Sequence, residues 1–244
     1  MQALLLAAGQ GKRLAQYTKD NTKCMVEVNG KKLIDRAIEN LKKNDINKLI
    51  VVVGYKKENL EKYLQENFRD IEIVIIENEN YANSNNIYSM YLAKDEVIKD
   101  DTILLESDLI YDSELIEKLL NNPNPNVAAV AKYEEWMDGT VVELNKENDI
   151  TAFIEKKDIN WDKVDEYYKT INIYKLSSEF SKKEYIPFLE TFMNAYGNNE
   201  YYELAFKIIA NLGRSNLKAE VINNIKWYEI DNENDLKNAK EMFK

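Results

Sequence analysis

A short apolar run that ends in a glycine turn opens the chain and constrains its fold more than any other stretch. Residues 3–8 have the pattern of a buried strand, and the chain continues Gly9-Gln10-Gly11-Lys12-Arg13-Leu14. Glycine allows a sharp turn with backbone N–H groups close to anionic oxygens, and the basic side chains neutralise charge. A dinucleotide site would need a third glycine where Leu14 stands, and a P-loop would need Gly-Lys-Ser/Thr. The opening therefore predicts a phosphate site of another kind, with an ordinary strand–turn–helix corner as the alternative.

The distribution of charge favours a small anionic ligand over a polymer. The net charge of −10 argues against partnership with nucleic acid or an anionic membrane. The first 32 residues run against that trend, because only Asp20 and Glu27 oppose their six basic residues, which are Lys12, Arg13, Lys19, Lys23, Lys31 and Lys32. A basic patch on an acidic protein suits a triphosphate.

Several classes of protein are disfavoured by what the sequence lacks. The single cysteine, Cys24, excludes an internal disulfide, fits a reducing cytoplasm and is expected to be a small buried residue. No stretch approaches the roughly 20 apolar residues that cross a bilayer, and the opening run is too short for a signal peptide. The absence of histidine removes Ser-His-Asp and Cys-His chemistry. We therefore expect a cytoplasmic protein without a membrane partner.

Strand and helix patterns alternate through the first half of the chain. Strands are predicted at 3–8, 49–53, 71–76 and 103–105, and helices at 32–44, 58–67, 87–97 and 113–120. This alternation predicts an α/β fold with a mostly parallel central sheet flanked by helices, whose ligands gather at the carboxyl ends of the strands. Gly9, Gly54 and Asp108 all fall at such ends.

The second half is richer in strands. An Asn/Pro loop at 121–126 precedes strands predicted at 127–132, 139–144, 150–153, 167–174, 217–222 and 227–230. Helices are predicted at 185–195, 201–210 and 233–243. At 244 residues, the chain can form one α/β domain with a small β-rich insertion.

Two acidic segments are candidates for a metal site. Glu106-Ser107-Asp108 ends a buried strand, where carboxylates can hold Mg²⁺ against a triphosphate, although such acids also cap helices or stay solvated. Glu229-Ile230-Asp231 lies near the C-terminal end of the sequence. Asp231 could instead be the N-cap of the last helix.

Two further groups of polar and aromatic residues are candidates for ligand recognition. Tyr81, Ser84 and Asn85 precede an aromatic-rich helix, and amide and hydroxyl groups can read the edge of a base; a helix-capping loop is the alternative. Aromatic and acidic residues in the second half suit an ammonium group, with ordinary packing as the alternative; these are Tyr133, Trp136, Tyr201 and Glu203.

The opening resembles the signature of a known family. Leu-Ala-Ala-Gly-x-Gly-x-Arg-Leu at residues 6–14 is similar to that of the nucleotidyltransferases that join an NTP to a phosphorylated small molecule, with a Rossmann-like, GT-A-type fold. The resemblance implies that nucleotide is bound by Leu6, Ala7, Ala8, Gly9 and Gly11. It implies that Arg13 and Lys23 act on the phosphates and that Asp108 and Asp231 share Mg²⁺. The chain departs from the family pattern in having Thr22, and not proline, before Lys23.

Two other segments narrow the resemblance. Residues 81–89 are similar to a segment of phosphocholine cytidylyltransferases, and residues 104–112 to 2-aminoethylphosphonate cytidylyltransferases. These similarities imply CTP as donor and phosphocholine, phosphoethanolamine or 2-aminoethylphosphonate as acceptor. They place Tyr81, Ser84 and Asn85 at the nucleotide. The phosphocholine relatives also have a tryptophan in a similar Glu-Trp context, which implies that Trp136 lies at the acceptor; Tyr133, Tyr201 and Glu203 are expected there from their aromatic and acidic character.

The same resemblance divides the single domain by role. Residues 1–122 would mainly bind nucleotide, 123–226 would mainly bind acceptor, and 227–244 would supply the second metal aspartate and a closing helix. A sugar-1-phosphate nucleotidyltransferase and a non-catalytic nucleotide-sensing subunit are the alternatives, and a homo-oligomer stays open. A glycosyltransferase is disfavoured, because such enzymes lack the Gly-x-Gly-x-Arg opening.

Overall fold

Strands and helices alternate in the computed structural model, which describes residues 1–214 and 216–244. The strands are β1 (Gln2–Ala7), β2 (Glu27–Val28), β3 (Lys31–Lys32), β4 (Lys48–Val53), β5 (Glu72–Glu77), β6 (Thr102–Glu106), β7 (Leu109–Tyr111), β8 (Val127–Lys132), β9 (Val141–Leu144), β10 (Ile150–Ile154), β11 (Tyr168–Leu176), β12 (Lys218–Val221) and β13 (Trp227–Glu229). The helices are α1 (Ala15–Thr18), α2 (Leu33–Lys43), α3 (Lys57–Asn67), α4 (Asn86–Leu92), α5 (Lys94–Val97), α6 (Glu114–Asn121), α7 (Ser178–Phe180), α8 (Ile186–Tyr196), α9 (Glu203–Asn211) and α10 (Glu233–Met242).

One continuous sheet joins the two halves of the chain in the order β10-β9-β11-β6-β1-β4-β5. The ladders of β6, β1, β4 and β5 are parallel, as the alternation predicts. The direction reverses at β6, because β11 pairs with it antiparallel; β11 also pairs with β8 and β9. The chain thus folds around a parallel sheet with helices on its faces, extended by a β-rich second half.

The sheet is buried on both faces around β1. Ala3, Leu5 and Ala7 belong to one apolar layer, and Leu4 and Leu6 belong to the other. Side chains alternate across a strand, so an uninterrupted apolar run marks a strand covered on both sides. Among the described residues, every helix is too short or too polar to cross a membrane.

A small two-stranded ribbon lies apart from the main sheet, and our sequence predictions include β13 but not β7. β7 pairs antiparallel with β13, with Leu109 opposite Glu229 and Tyr111 opposite Trp227. The chain reverses between β6 and β7 at Ser107 and Asp108, and the three residues of β7 are too few to show a period. The predicted helix over 87–97 also differs, since Ala93 divides it into α4 and α5.

Candidate active site

A cavity of about 880 Å³ opens at the carboxyl ends of β1 and β6, with walls from both halves of the chain. The glycine turn and the loop before α4 line one side. The start of α9, the centre of β11 and the segment around residues 155–157 line the other. The ends of parallel strands are where α/β sheets place their ligands.

The glycine turn is held in shape by local contacts. Gly11 has φ +58°, and a Cβ there would lie 3.0 Å from the Cγ2 atom of Thr18. The Thr18 hydroxyl donates to the Gly11 carbonyl at 3.0 Å, and the Leu14 N–H donates to the same oxygen at 2.9 Å. Glycine adopts this conformation without strain and leaves room for Thr18, and the turn directs Lys12 and Arg13 to the cavity.

The ribbon of β7 and β13 brings the two predicted aspartates together. The ladder continues past Glu229, so the Ile230 N–H donates to the Asp108 carbonyl at 2.9 Å. Asp108 and Asp231 therefore lie side by side at the cavity, although they are far apart in the sequence. Carboxylate oxygens of Asp108, Glu229 and Asp231 lie within 4.8 Å of one another.

Lys23 lies between the two aspartates. Its Nζ atom is 2.6 Å from an oxygen of Asp108 and 2.6 Å from an oxygen of Asp231, and the Arg13 guanidinium is 2.9 Å from Asp231. Burial disfavours the charge on Lys23, but the two carboxylates outweigh it, so the pKa of Lys23 is raised above its ordinary value. Lys23 is a cation held at the centre of the carboxylate group.

The final helix is capped by Asn232, and not by Asp231. The Asn232 side chain accepts from the N–H groups of Asn234 and Asp235, and Asp235 accepts from the N–H groups of Asp231 and Asn232. This reciprocal capping box provides acceptors for the free backbone N–H groups at the start of α10. The Asp231 carboxylate is thereby left to face Lys23 and Arg13.

The carboxylate group fits a divalent cation. Oxygen ligands from one or two carboxylates are what Mg²⁺ takes in proteins. Among the described residues, the buried Oδ1 atom of Asp108 has no hydrogen-bond partner, and a buried acceptor in this state is costly. Asp108 and Asp231 could hold the ion with Glu229 beside them, and Lys23 would have to leave the position between the aspartates.

Two more carboxylates, Glu106 and Glu203, form with Glu229 what we call the acidic lobe of the cavity. Burial raises the pKa of each, to about 7 for Glu229 and well above the ordinary value for Glu106, where Asp108, Glu203 and Glu229 add repulsion. The Nζ atom of Lys169 lies 3.6 Å from Glu229. The lobe thus combines three carboxyl groups with the ammonium group of Lys169.

Most of the side chains predicted for nucleotide, metal and catalysis meet at this cavity. Its lining includes Leu6, Ala8, Gly9, Gly11, Arg13, Lys23, Tyr81, Ser84, Asn85, Asp108 and Asp231. Ala7 points to the opposite face of β1 and packs in the core. Asn85 also caps α4 through its Oδ1 atom, which supports the helix-capping alternative for that oxygen. The roles of these residues stay predictions.

The four predicted acceptor residues separate into two pairs. Tyr201 and Glu203 line the cavity. Trp136 lies outside the lining and stacks on Tyr228, with ring centroids 4.5 Å apart and planes at 6°. Tyr133 is also outside it, half-buried and in edge contact with Trp161. The structure therefore brings only the first pair to the nucleotide residues.

Sequence reasoning identified an incomplete set of cavity residues. Glu229 was named only as part of the acidic segment with Asp231, and strand periodicity could have placed the two side chains on one side. Lys169 and Asn172 were missed; they lie on β11, where Asn172 has φ +60° within a register shift of the ladder. A bulge of this kind turns a side chain toward a site, and the sequence carries no signal for it.

A parallel α/β sheet with cations and carboxylates gathered at its carboxyl edge is the arrangement of a protein that binds phosphate-bearing ligands. A profile described as nucleotidyl transferase matches residues 2–241, so the chain belongs to that family, as its opening motif implies.

Named relatives lie within the same family. The chain is 42% identical over 126 residues to CTP:phosphoglutamine cytidylyltransferase of Campylobacter jejuni, covering 50% of this chain and 49% of the relative. It is 24% identical over 240 residues to CMP-5'-(3-aminopropyl)phosphonate synthase of Streptomyces rubellomurinus, covering 98% of this chain and 38% of the relative. The chain thus spans half or less of the length of these relatives.

A solved structure agrees with the predicted fold. The CTP:phosphocholine cytidylyltransferase from Streptococcus pneumoniae superimposes with a TM-score of 0.81 at 23% identity, over 100% of this chain and 99% of that one. The predicted α/β fold with a mostly parallel central sheet is thereby confirmed.

Proposed function

We propose that this protein transfers CMP from CTP to the phosphate or phosphonate of a small amine-bearing acceptor, with release of pyrophosphate. One observation carries the proposal: Lys23 Nζ lies 2.6 Å from both Asp108 and Asp231, in the cavity that the glycine turn lines. Cations from the start of the chain and carboxylates from its middle and end converge as a metal-bound triphosphate requires. The names of two relatives, a CTP:phosphoglutamine cytidylyltransferase and a CMP-5'-(3-aminopropyl)phosphonate synthase, support CTP as the donor.

The chemistry needs positioning and charge neutralisation. An oxygen of the acceptor attacks the α-phosphorus of CTP, the bond to the bridging oxygen breaks, and pyrophosphate leaves with that electron pair. A phosphate monoester is largely deprotonated at neutral pH, because its second pKa is about 6, so no general base is needed. The absence of histidine is therefore no obstacle to this reaction.

The side chains at the cavity have separate parts in this scheme. Lys12, Arg13 and Lys23 neutralise phosphate oxygens, and the backbone of the glycine turn approaches them. Asp108 and Asp231 would hold Mg²⁺, which supplies positive charge against the triphosphate. The side-chain amide of Asn78 donates to the hydroxyls of Ser84 and Ser89 at 3.1 and 3.2 Å. These hydrogen bonds hold the loop before α4, to which we assign recognition of the base.

A panel of donors and acceptors tests the proposal. Pyrophosphate release is measured with CTP, UTP, dTTP and ATP, each with phosphoethanolamine, phosphocholine, 2-aminoethylphosphonate and glucose 1-phosphate, with Mg²⁺ and with EDTA. We expect metal-dependent release with CTP and an amine-bearing acceptor. Release with glucose 1-phosphate alone would support the sugar-1-phosphate alternative. No release with any pair would leave the nucleotide-sensing alternative.

Asp108→Asn tests the metal assignment within the same assay. The variant keeps the size of the side chain and removes a charge that would hold the cation, so turnover should fall by at least about 100-fold. Asp112→Asn, four residues further along and outside the cavity lining, is the control and should retain turnover. Normal turnover in Asp108→Asn would contradict the assignment of Asp108 to the metal.

A further inference from the structure

The acidic lobe is a built feature of the cavity. The side-chain amide of Asn86 donates to Glu106 Oε1 at 3.0 Å, and its oxygen accepts from the Tyr202 N–H at 3.0 Å. Asn86 thus fixes the start of α9, which carries Glu203, against the end of β6, which carries Glu106. Two distant segments are joined so that their carboxylates share one end of the cavity.

Glu203 is the unsatisfied member of the lobe. It is 7% exposed, it lines the cavity, and its Oε2 atom has no hydrogen-bond partner among the described residues. A buried carboxylate without a partner is costly, and burial raises the pKa of Glu203 accordingly. Lys169 cannot satisfy every carboxylate, since its Nζ donates to the Thr170 carbonyl at 2.6 Å and lies 3.6 Å from Glu229.

The lobe has hydrogen-bond acceptors and few aromatic faces. A primary ammonium offers three N–H donors, whereas a quaternary ammonium offers none and depends on aromatic rings. Within residues 1–214 and 216–244, the aromatic side chains of the lining are Tyr81 and Tyr201, and Tyr201 is 56% exposed. Trp136, which could have supplied a face, is stacked on Tyr228.

We infer that the acidic lobe binds a primary ammonium group of the acceptor through Glu203 and Glu106, and that it selects this group over a quaternary ammonium. The inference rests on the proposed function and narrows its acceptors. Glu203 and Glu106 accept N–H hydrogen bonds, and Lys169 stays fixed to the backbone as a counter-charge. Phosphoethanolamine and 2-aminoethylphosphonate fit this lobe, and phosphocholine does not.

A graded series of N-methylated acceptors separates hydrogen bonding from charge. Phosphoethanolamine and its mono-, di- and trimethyl forms all carry one positive charge at pH 7, and each methyl group removes one N–H donor. With CTP and Mg²⁺, kcat/KM should fall along the series by about 10- to 100-fold in total, the scale for losing a hydrogen bond to a charged group. A flat series, or one that rises toward phosphocholine, would overturn the inference.

Glu203→Gln tests the residue that gives the lobe its selectivity. The variant keeps the shape of the side chain but replaces the carboxylate with a neutral amide. We therefore expect kcat/KM for phosphoethanolamine to fall at least tenfold, while KM for CTP stays within about twofold. The decrease in kcat/KM along the methylated series should become smaller. Glu200→Gln, three residues earlier and outside the lining, is the matched control and should keep the wild-type slope. An equal loss with every acceptor and with CTP would assign Glu203 a structural role and overturn the inference.

Calorimetric titration of the same four acceptors, without CTP, tests the lobe independently of turnover. Phosphoethanolamine should bind more tightly than phosphocholine to the wild-type chain, and Glu203→Gln should remove the difference. Selective binding without turnover of any acceptor would contradict the proposed function alone. Equal or tighter binding of phosphocholine would overturn the inference about the lobe.

Discussion

Lys23 shows how one side chain can stand where a metal is expected. Its side chain is 12% exposed and its ammonium group contacts both Asp108 and Asp231, so Lys23, with Arg13 on Asp231, offsets the charge of the two carboxylates. In water such an ion pair would contribute little, but a buried group of this kind depends on each of its members. Lys23 should therefore affect the stability of the free protein, in addition to the phosphate contact that we propose for it.

Lys23→Met should expose this dependence. The substitution leaves two adjacent aspartates without their shared cation, so we expect the free energy of unfolding to fall by about 3 kcal/mol in EDTA. Urea unfolding followed by circular dichroism measures it. Mg²⁺ should restore more stability to the variant than to the wild-type chain, because the cation takes the vacated position.

The control for this measurement is Lys12→Met. Lys12 is an exposed lysine of the glycine turn, and its loss should leave the stability of the chain unchanged in EDTA. If Lys23→Met unfolds at the same urea concentration as the wild type in EDTA, the bridge between the aspartates contributes nothing to the fold.

At the scale of elements, Gly54 allows a close contact between segments that line the cavity at Ala8 and Tyr81. It follows β4, and a Cβ at this position would lie 2.7 Å from the Cβ of Tyr81 and 2.9 Å from the Ala8 carbonyl oxygen. That oxygen also accepts from the Tyr55 N–H at 3.1 Å. The end of β1, the end of β4 and the loop before α4 are therefore packed without room for a methyl group.

Gly54→Ala should separate these three segments. The obstacles are two Cβ atoms and a backbone carbonyl oxygen, none of which can move without the backbone, so we expect a loss of about 1–3 kcal/mol in the free energy of unfolding, together with a higher KM for CTP. Thermal unfolding and steady-state kinetics measure the two effects. Gly9→Ala is the control for stability, since a Cβ there meets nothing within 4 Å. Equal stability of both variants would show that the wall can adjust.

The elements also show how far the sequence could predict the site. The glycine turn, Arg13 and the strand before Asp108 are local patterns, and they could be interpreted from neighbouring residues. The ribbon of β7 and β13 could not, because β7 is short and its pairing joins distant segments. Trp136 was selected for its local Glu-Trp context, whereas its position depends on Tyr228 in the last part of the chain.

At the scale of the whole molecule, the predicted division by role does not coincide with a break in the structure. Parts 1–122 and 123–226 share one sheet through the ladder of β6 with β11, and β8 extends it on the far side. Removal of either part would leave a long strand edge unpaired and an apolar layer uncovered. The two parts should therefore fold together.

Urea unfolding should follow one cooperative transition. The three tryptophans, Trp136, Trp161 and Trp227, report on the second half of the chain, whereas far-ultraviolet circular dichroism reports on all of it. We expect the two signals to give the same midpoint, because the shared sheet couples the halves. Separated midpoints would show that the β-rich half unfolds independently.

Glu106 and Asp108 stand only two positions apart on the segment where the sheet reverses direction. In the proposed function, Asp108 would hold the metal at the triphosphate and Glu106 would bind the amine, so a single short stretch of backbone would serve both ligands. A change there that adapted the protein to a new acceptor would disturb its handling of the nucleotide as well. Diversification of acceptor range is therefore expected on the opposing wall, at Glu203 and along β11, which belong to other segments of the chain.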